Sequence, residues 1–197
     1  PHPLVMVEER LDYSYLVPSG FGTGDCVIIA DGTLYVMDYK NGKGVFVSCD
    51  HNPQMMLYAL GAYHAYGYLY NIKQVSMTII QPRLENISTY ECSVEELLDW
   101  AETYVRPRAK LAFEGKGEQV PGDWCRFCPA KAQCRTRSEM LLSMEPDLGK
   151  TPPLLSDAEI GDILVRAQTL EAWVKDLKDY AFSTCLAGGC IPGFKVV

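Results

Sequence analysis

No stretch of this sequence approaches the roughly 20 consecutive apolar residues a membrane-spanning helix needs, and its N-terminus shows no export signal. No membrane association is therefore expected, and the expected location is the cytoplasm. Internal repeats and low-complexity tracts are absent as well, which excludes solenoids and compositionally disordered tails. Positive charge is in short supply: 18 Lys and Arg face 25 Asp and Glu, for a net charge of −7. Broad, nonspecific duplex binding relies on many cationic contacts to phosphate and is disfavoured by that balance. A nuclease is not, because acidic metal ligands add to the negative count and a local basic groove is invisible to a sum. Histidine is scarce, and His2, His51 and His64 show no ligand spacing.

What the chain has is enough apolar sequence for a sizeable core. At 197 residues it reads as one domain over 1–150 with a helical appendage over 151–197. It opens in strand-like sequence (Leu4-Val5-Met6-Val7) and stops abruptly at Phe194-Lys195-Val196-Val197, as expected for a fragment of a longer protein. Eight cysteines without an export signal point to a reducing compartment rather than to disulfides.

The element pattern predicts an α/β fold, a small mixed sheet flanked by helices. Residues 4–16 read as a strand, and Pro18 to Gly24 as a glycine-rich turn. Asp31-Gly32 between two β-branched runs is a strong hairpin signal. Asn52-Pro53 starts an apolar helix to about Tyr66, since Asn caps well and Pro suits the first helical position. Strands follow near 75–82 and 88–92, with a brief strand resumption also expected at 45–47. Ser93-x-x-Glu96 and Ser156-x-x-Glu159 are capping boxes, opening helices to about Phe113 and Ala187. Pro152-Pro153 marks a linker.

The hairpin carries the first oddity. Counting outward from Asp31-Gly32, Ala30 faces Thr33, Ile29 faces Leu34, Val27 faces Val36, and Asp25 lands opposite Asp38. By strand alternation these acids share the apolar face, with Lys40 one pleat further on. Like charges directly opposed are destabilising, and a divalent cation between the two carboxylates resolves the conflict. Downstream, Gln54 and Tyr58 are four apart and share one helix face. Glu8 and Glu9 read as exposed strand charges.

These residues resemble the PD-(D/E)XK nuclease superfamily, in particular its RecB-like exonuclease branch. Asp38-Tyr39-Lys40 matches the acid-x-Lys motif, Gly22-Thr23-Gly24-Asp25 the glycine-led segment with the first acid, and Gln54 with Tyr58 the Q-x-x-x-Y pair. From about Glu8 to Val197 the chain also looks like an uncharacterised phage and prophage family of exonuclease-like proteins, through Phe21 to Asp25, Asp38 to Gly44 and Asn52 to Tyr58. The resemblance implies a restriction-endonuclease-like core and a divalent-metal-dependent DNA exonuclease acting in phage recombination or DNA processing. Single- or double-stranded DNA would be its partner, with other recombination proteins as further candidates. Asp25, Asp38, Lys40, Gln54 and Tyr58 would be catalytic. Mg²⁺ or Mn²⁺ would sit on Asp25, Asp38 and the backbone carbonyl of Tyr39. Gln54 would position the Lys40 end, with Tyr58 supporting it.

Cys125-x2-Cys128-x5-Cys134 is a separate signal, since three cysteines in ten residues rarely arise from packing alone. The spacing is similar to the C-terminal triplet of RecB-like nucleases with a four-iron, four-sulfur cluster, whose fourth Cys lies upstream of the nuclease core. That ligand is absent here or outside the fragment, and Cys26, Cys49, Cys92, Cys185 and Cys190 lack motif spacing. Zinc is the alternative, as tetrahedral sulfur sites suit it. Two other functions compete with the nuclease reading. One is an inactive nuclease-fold module that binds DNA or protein. The other is a retaining glycosidase with carboxylates about 5 Å apart, which leaves Lys40, Gln54 and the cysteines without roles.

Overall fold

The computed structural model describes residues 2–142 and 156–195, and the chain divides into two compact units, Pro1–Gly117 and Glu118–Val197. The anticipated boundary at 150/151 and the Pro152-Pro153 linker lie outside the described residues.

The first unit is a five-stranded mixed sheet in the order β1-β2-β3-β4-β5 (Leu4–Asp12, Phe21–Ala30, Thr33–Tyr39, Gln74–Gln81, Asn86–Ser93). Strands β1 to β3 form an antiparallel meander. β4 then returns parallel to β3 through helix α1 (Pro53–Tyr66), and β5 closes antiparallel on β4. The expected α/β architecture is thus present. Asp31 (φ 48°) and Gly32 (φ 77°) both take left-handed φ values, as a type I′ hairpin turn requires. The register counted from that turn holds: Ala30–Thr33, Ile29–Leu34 and Val27–Val36 are pairs.

Two strand boundaries differ from the sequence reading. β1 stops at Asp12 rather than 16, because Tyr13 to Gly20 closes on itself through Leu16 N–H and Val17 N–H to Tyr13 O and Gly20 N–H to Val17 O. Residues 21–24, expected in a turn, are instead paired strand, with Phe21 on Asp12 and Gly22 on Leu11.

Asn52 caps α1, accepting from Gln54 N–H and Met55 N–H, and Pro53 opens it. The helix buries Met55, Met56, Ala59, Leu60, Gly61 and Ala62 against the sheet. Gly61 lets it settle closely, since a Cβ there would lie 3.0 Å from that of Leu11. Ser93 and Glu96 form the reciprocal capping box that opens α2 (Val94–Trp100). A π-turn over Ala101–Val105 joins it to α3 (Arg106–Phe113). Pro107 cannot donate back into the helix, and the wider turn sits just before it.

In the second unit, α4 spans Arg135–Leu142 and α5 spans Asp157–Leu186, the latter capped by Ser156 with Glu159 as anticipated. The apolar residues at helical spacing on α5 are half-buried at Ile163, Ala167, Leu170 and Leu177 and exposed at Ile160, Leu164 and Val174. Trp173 is the buried residue of that helix among those described. Three residues further on, Asp176 holds the buried Arg137 at 2.9 Å and Lys131 at 2.8 Å.

Candidate active site at the hairpin

The acids sit where β2 and β3 stop pairing. The last hydrogen-bonded pair is Cys26–Met37, and the next in the same count, Asp25 with Asp38, lies just past the ladder. There the Asp25 carboxylate takes over from a backbone acceptor: its Oδ2 accepts from Tyr39 N–H at 2.6 Å. This bond fixes Asp25 against the Asp38-Tyr39 peptide.

The face shared by Asp25 and Val27 is less regular than strand alternation implies. Burial in β2 falls at Gly24, Val27 and Ile29, so its phase slips between 24 and 27. The cause is visible across the strand. Glu8 lies opposite Asp25 by count, has φ 53°, and is skipped by the pairing that joins Val7 to Cys26 and Glu9 to Gly24. A left-handed residue inside a strand kinks the pair locally. Glu8 is exposed, as the sequence reading had it. Glu9 is not a free charge, because it accepts from Tyr66 OH at 2.8 Å, a bond that pushes the Tyr66 phenol pKa up.

Asp38 is buried, 6% exposed, at the end of β3 beside Ile79 of β4. Lys40 Nζ lies 2.8 Å from its Oδ2, but outside hydrogen-bond geometry, so that buried oxygen is paired by charge alone. Lys40 Nζ also donates to Gln54 Oε1 at 3.2 Å. Gln54 Nε2 donates to Tyr58 OH at 3.0 Å and reaches Asp38 Oδ1 at 3.5 Å. The structure therefore gathers Asp38, Lys40, Gln54 and Tyr58 into one polar chain, with Asp25 joined through the Tyr39 amide. Tyr39 itself presents a side chain 55% exposed.

A hard divalent cation suits this donor set. All available ligands are oxygens, and the Asp38 oxygen has a counter-charge but no hydrogen bond. Among the described residues no group of three or more His, Cys, Asp and Glu side chains is arranged to hold a metal. An ion here would rest on two carboxylates, the protein share that Mg²⁺ typically takes before water and phosphate complete its shell.

Two contacts of the site are not written in the sequence, one at Gly22 of the glycine-led segment and one on the chain after β3. Gly22 is needed where it stands, since a Cβ would fall 2.2 Å from Tyr58 Cε1. Beside Lys40, whose N–H donates to Ile80 O at 2.9 Å, the buried carboxamides of Gln81 and Asn86 bind the chain after β3. Gln81 Oε1 accepts from Val47 N–H and Gln81 Nε2 donates to Val45 O. Asn86 Nδ2 donates to Val47 O and to Gln81 Oε1. No strand forms at 45–47, contrary to expectation, because these side chains supply the partners a neighbouring strand would. A buried Gln and Asn at the end of adjacent strands were the available signal.

In the second unit, Cys125, Cys128 and Cys134 line one cavity of about 450 Å³ with Trp124 and Gln133. All three are half-buried free thiols. Cys125 Sγ accepts from Gly122 N–H at 3.4 Å, and Cys134 Sγ faces Gln119 Oε1 at 3.8 Å. They share a cavity without converging into a metal-holding group.

No described helix is long and apolar enough to cross a membrane. Among solved structures, the chain is similar to one described as "Crystal structure of SSO0001", at 16% identity and a TM-score of 0.37, over 68% of this chain. The chain spans 61% of that protein's length. The family described as "Protein of unknown function (DUF2800)" matches residues 1–197 throughout, and the chain belongs to that family.

Proposed function

We propose that the first unit is a divalent-metal-dependent DNA nuclease of the PD-(D/E)XK type, RecB-like in its motifs, acting as an exonuclease in phage recombination or DNA processing. The observation that carries this reading is the buried Asp38 oxygen, paired by charge to Lys40 but left without a hydrogen bond. A structural ion pair would be expected to complete its hydrogen bonding when buried; a ligand position would keep an oxygen available.

Phosphodiester hydrolysis needs an activated water and a counter to charge developing on the phosphate. A divalent ion on Asp25 and Asp38 would supply both, by Lewis acidity and by lowering the pKa of a bound water. Asp25 keeps its carboxylate in place through Tyr39 N–H, with Tyr39 as the third element of that site. Lys40 brings an ammonium to the same oxygen and can orient the attacking water or offset charge on the phosphate. Gln54 holds Lys40, and Tyr58 holds Gln54. The cysteine trio has a separate, structural reading: an iron–sulfur cluster completed by a fourth ligand, with zinc as the alternative.

An inactive nuclease-fold module would need neither a divalent ion nor the Lys40–Gln54–Tyr58 chain. The test is degradation of end-labelled single- and double-stranded DNA, linear and circular, in Mg²⁺, Mn²⁺ or EDTA. Loss of label from linear DNA with either metal and none in EDTA is expected. Intact DNA under every condition would favour the binding module.

A further inference from the structure

Residues 41–47 follow the acid-x-Lys strand without regular structure, yet their far end is pinned by two buried side chains. Gln81 is 2% exposed and Asn86 7%. Burying carboxamides is unfavourable unless they are hydrogen-bonded, and here they are spent on one short segment. Gln81 binds Val45 O at 2.9 Å and Val47 N–H at 2.8 Å, the two groups that flank Phe46 on one side of an extended backbone. Its carboxamide thus imitates the N–H and C=O that one residue of a neighbouring strand would offer. Val47 packs against the core, whereas Phe46 is 65% exposed and Val45 56%. What sets this segment apart is the clamp, which fixes the backbone on both sides of an aromatic ring that stands in solvent.

Its position gives the ring a purpose. Lys40 N–H binds Ile80 O, so the reactive end of β3 lies level with the end of β4. Gln81, the next residue of β4, carries the clamp. Lys43 lies in the same segment, between Gly42 and Gly44, where an added Cβ at either glycine would meet nothing within 4 Å. That open space leaves the backbone accessible to a polyanion.

We propose that residues 43–47 are a substrate shelf: Phe46 stacks on a base of a single-stranded DNA end whose phosphate lies at the carboxylates, and Lys43 pairs with an adjacent phosphate. The proposal rests on the nuclease reading and narrows its substrate to an unpaired end. A base in a duplex has its faces covered, whereas an unpaired base offers a π-face to any exposed ring, and aromatic stacking is the common device for holding single strands without sequence preference.

The probe is a single-stranded oligodeoxynucleotide carrying 2-aminopurine at one end, titrated with the protein in Ca²⁺; cleavage of the same oligonucleotide is followed separately in Mg²⁺. Wild type should quench the 2-aminopurine at one of the two ends. Phe46→Ala should bind about 5- to 100-fold more weakly and lose the quench, and Phe46→Trp should restore both. Lys43→Ala should lower the slope of log affinity against log salt by about 0.7. Phe46→Ala with wild-type affinity and quench, or wild type that does not bind, overturns the shelf. Stacking without any cleavage in Mg²⁺ sinks hydrolysis and leaves the shelf standing. Cleavage by wild type with binding unchanged in Phe46→Ala sinks the shelf alone.

Discussion

Tyr58 fills the space that a side chain on residue 22 would need: a Cβ built on Gly22 falls 2.2 Å from Tyr58 Cε1. The glycine is therefore part of the Lys40 support, since Tyr58 holds Gln54 and Gln54 holds Lys40. Gly22→Ala should push the ring aside, costing about 1–3 kcal/mol of stability by overpacking. It should also lower cleavage roughly tenfold or more through the displaced Gln54. Denaturant unfolding and kcat on a linear substrate check both. A Tyr58→Ala change in the same chain should relieve the stability loss while leaving activity low.

Asp176 makes the second prediction. Burial raises its pKa, but hydrogen bonds from Lys131 and Arg137 outweigh that and hold the carboxyl below its ordinary value of 3.8. A carboxylate depressed in the folded state contributes stability above its unfolded pKa and loses it as pH falls through the folded value. The Glu118–Val197 unit should accordingly weaken as pH drops below about 4. Asp176→Asn should destabilise that unit by about 3 kcal/mol at pH 7, because Arg137, 5% exposed, loses its counter-charge. Fluorescence of the buried Trp173, three residues before Asp176, reports the transition in a chain with Trp100 and Trp124 replaced by Phe; in Asp176→Asn the acid limb should disappear.

The cysteines separate by environment. Burial pushes the Cys49 and Cys92 thiols up, and Cys49 Sγ donates to Met77 O at 3.0 Å. Both should stay unreactive toward a thiol reagent at neutral pH until the fold opens, because the thiolate is the reactive form. The half-buried Cys125, Cys128 and Cys134 should react in the native state. Anaerobic purification should protect this trio and yield a brown protein with iron. A colourless protein with stoichiometric zinc would reverse the order of the two metals, and native reactivity of all three without either metal would remove the cofactor reading.

Much of the fold was legible because it is encoded locally. Asp31-Gly32 specifies a turn geometry that few other dipeptides accept, and the turn sets the register of Val27 on Val36. Asn52-Pro53 and the Ser93 and Ser156 capping boxes announce helix starts through the same side chains that make the bonds. Asp38, Lys40, Gln54 and Tyr58 were legible as a group because one strand end and one helix face bring them together. What escaped depends on partners distant in sequence. The kink at Glu8 answers Asp25 on another strand, and Gln81 replaces a strand for Val45 and Val47, 36 and 34 residues away. The apolar stripe of α5, part half-buried and part exposed, shows that periodicity records amphipathicity but not what covers it.

The central claim is that Asp38 holds a catalytic metal. Asp38→Ala removes a buried carboxylate while leaving the hairpin and α1 otherwise intact. Its hydrolysis of linear DNA in Mg²⁺ or Mn²⁺ should fall at least 1,000-fold, roughly 4 kcal/mol of transition-state stabilisation, while circular dichroism stays that of the wild type. Cleavage by a folded Asp38→Ala protein at the wild-type rate would contradict the account.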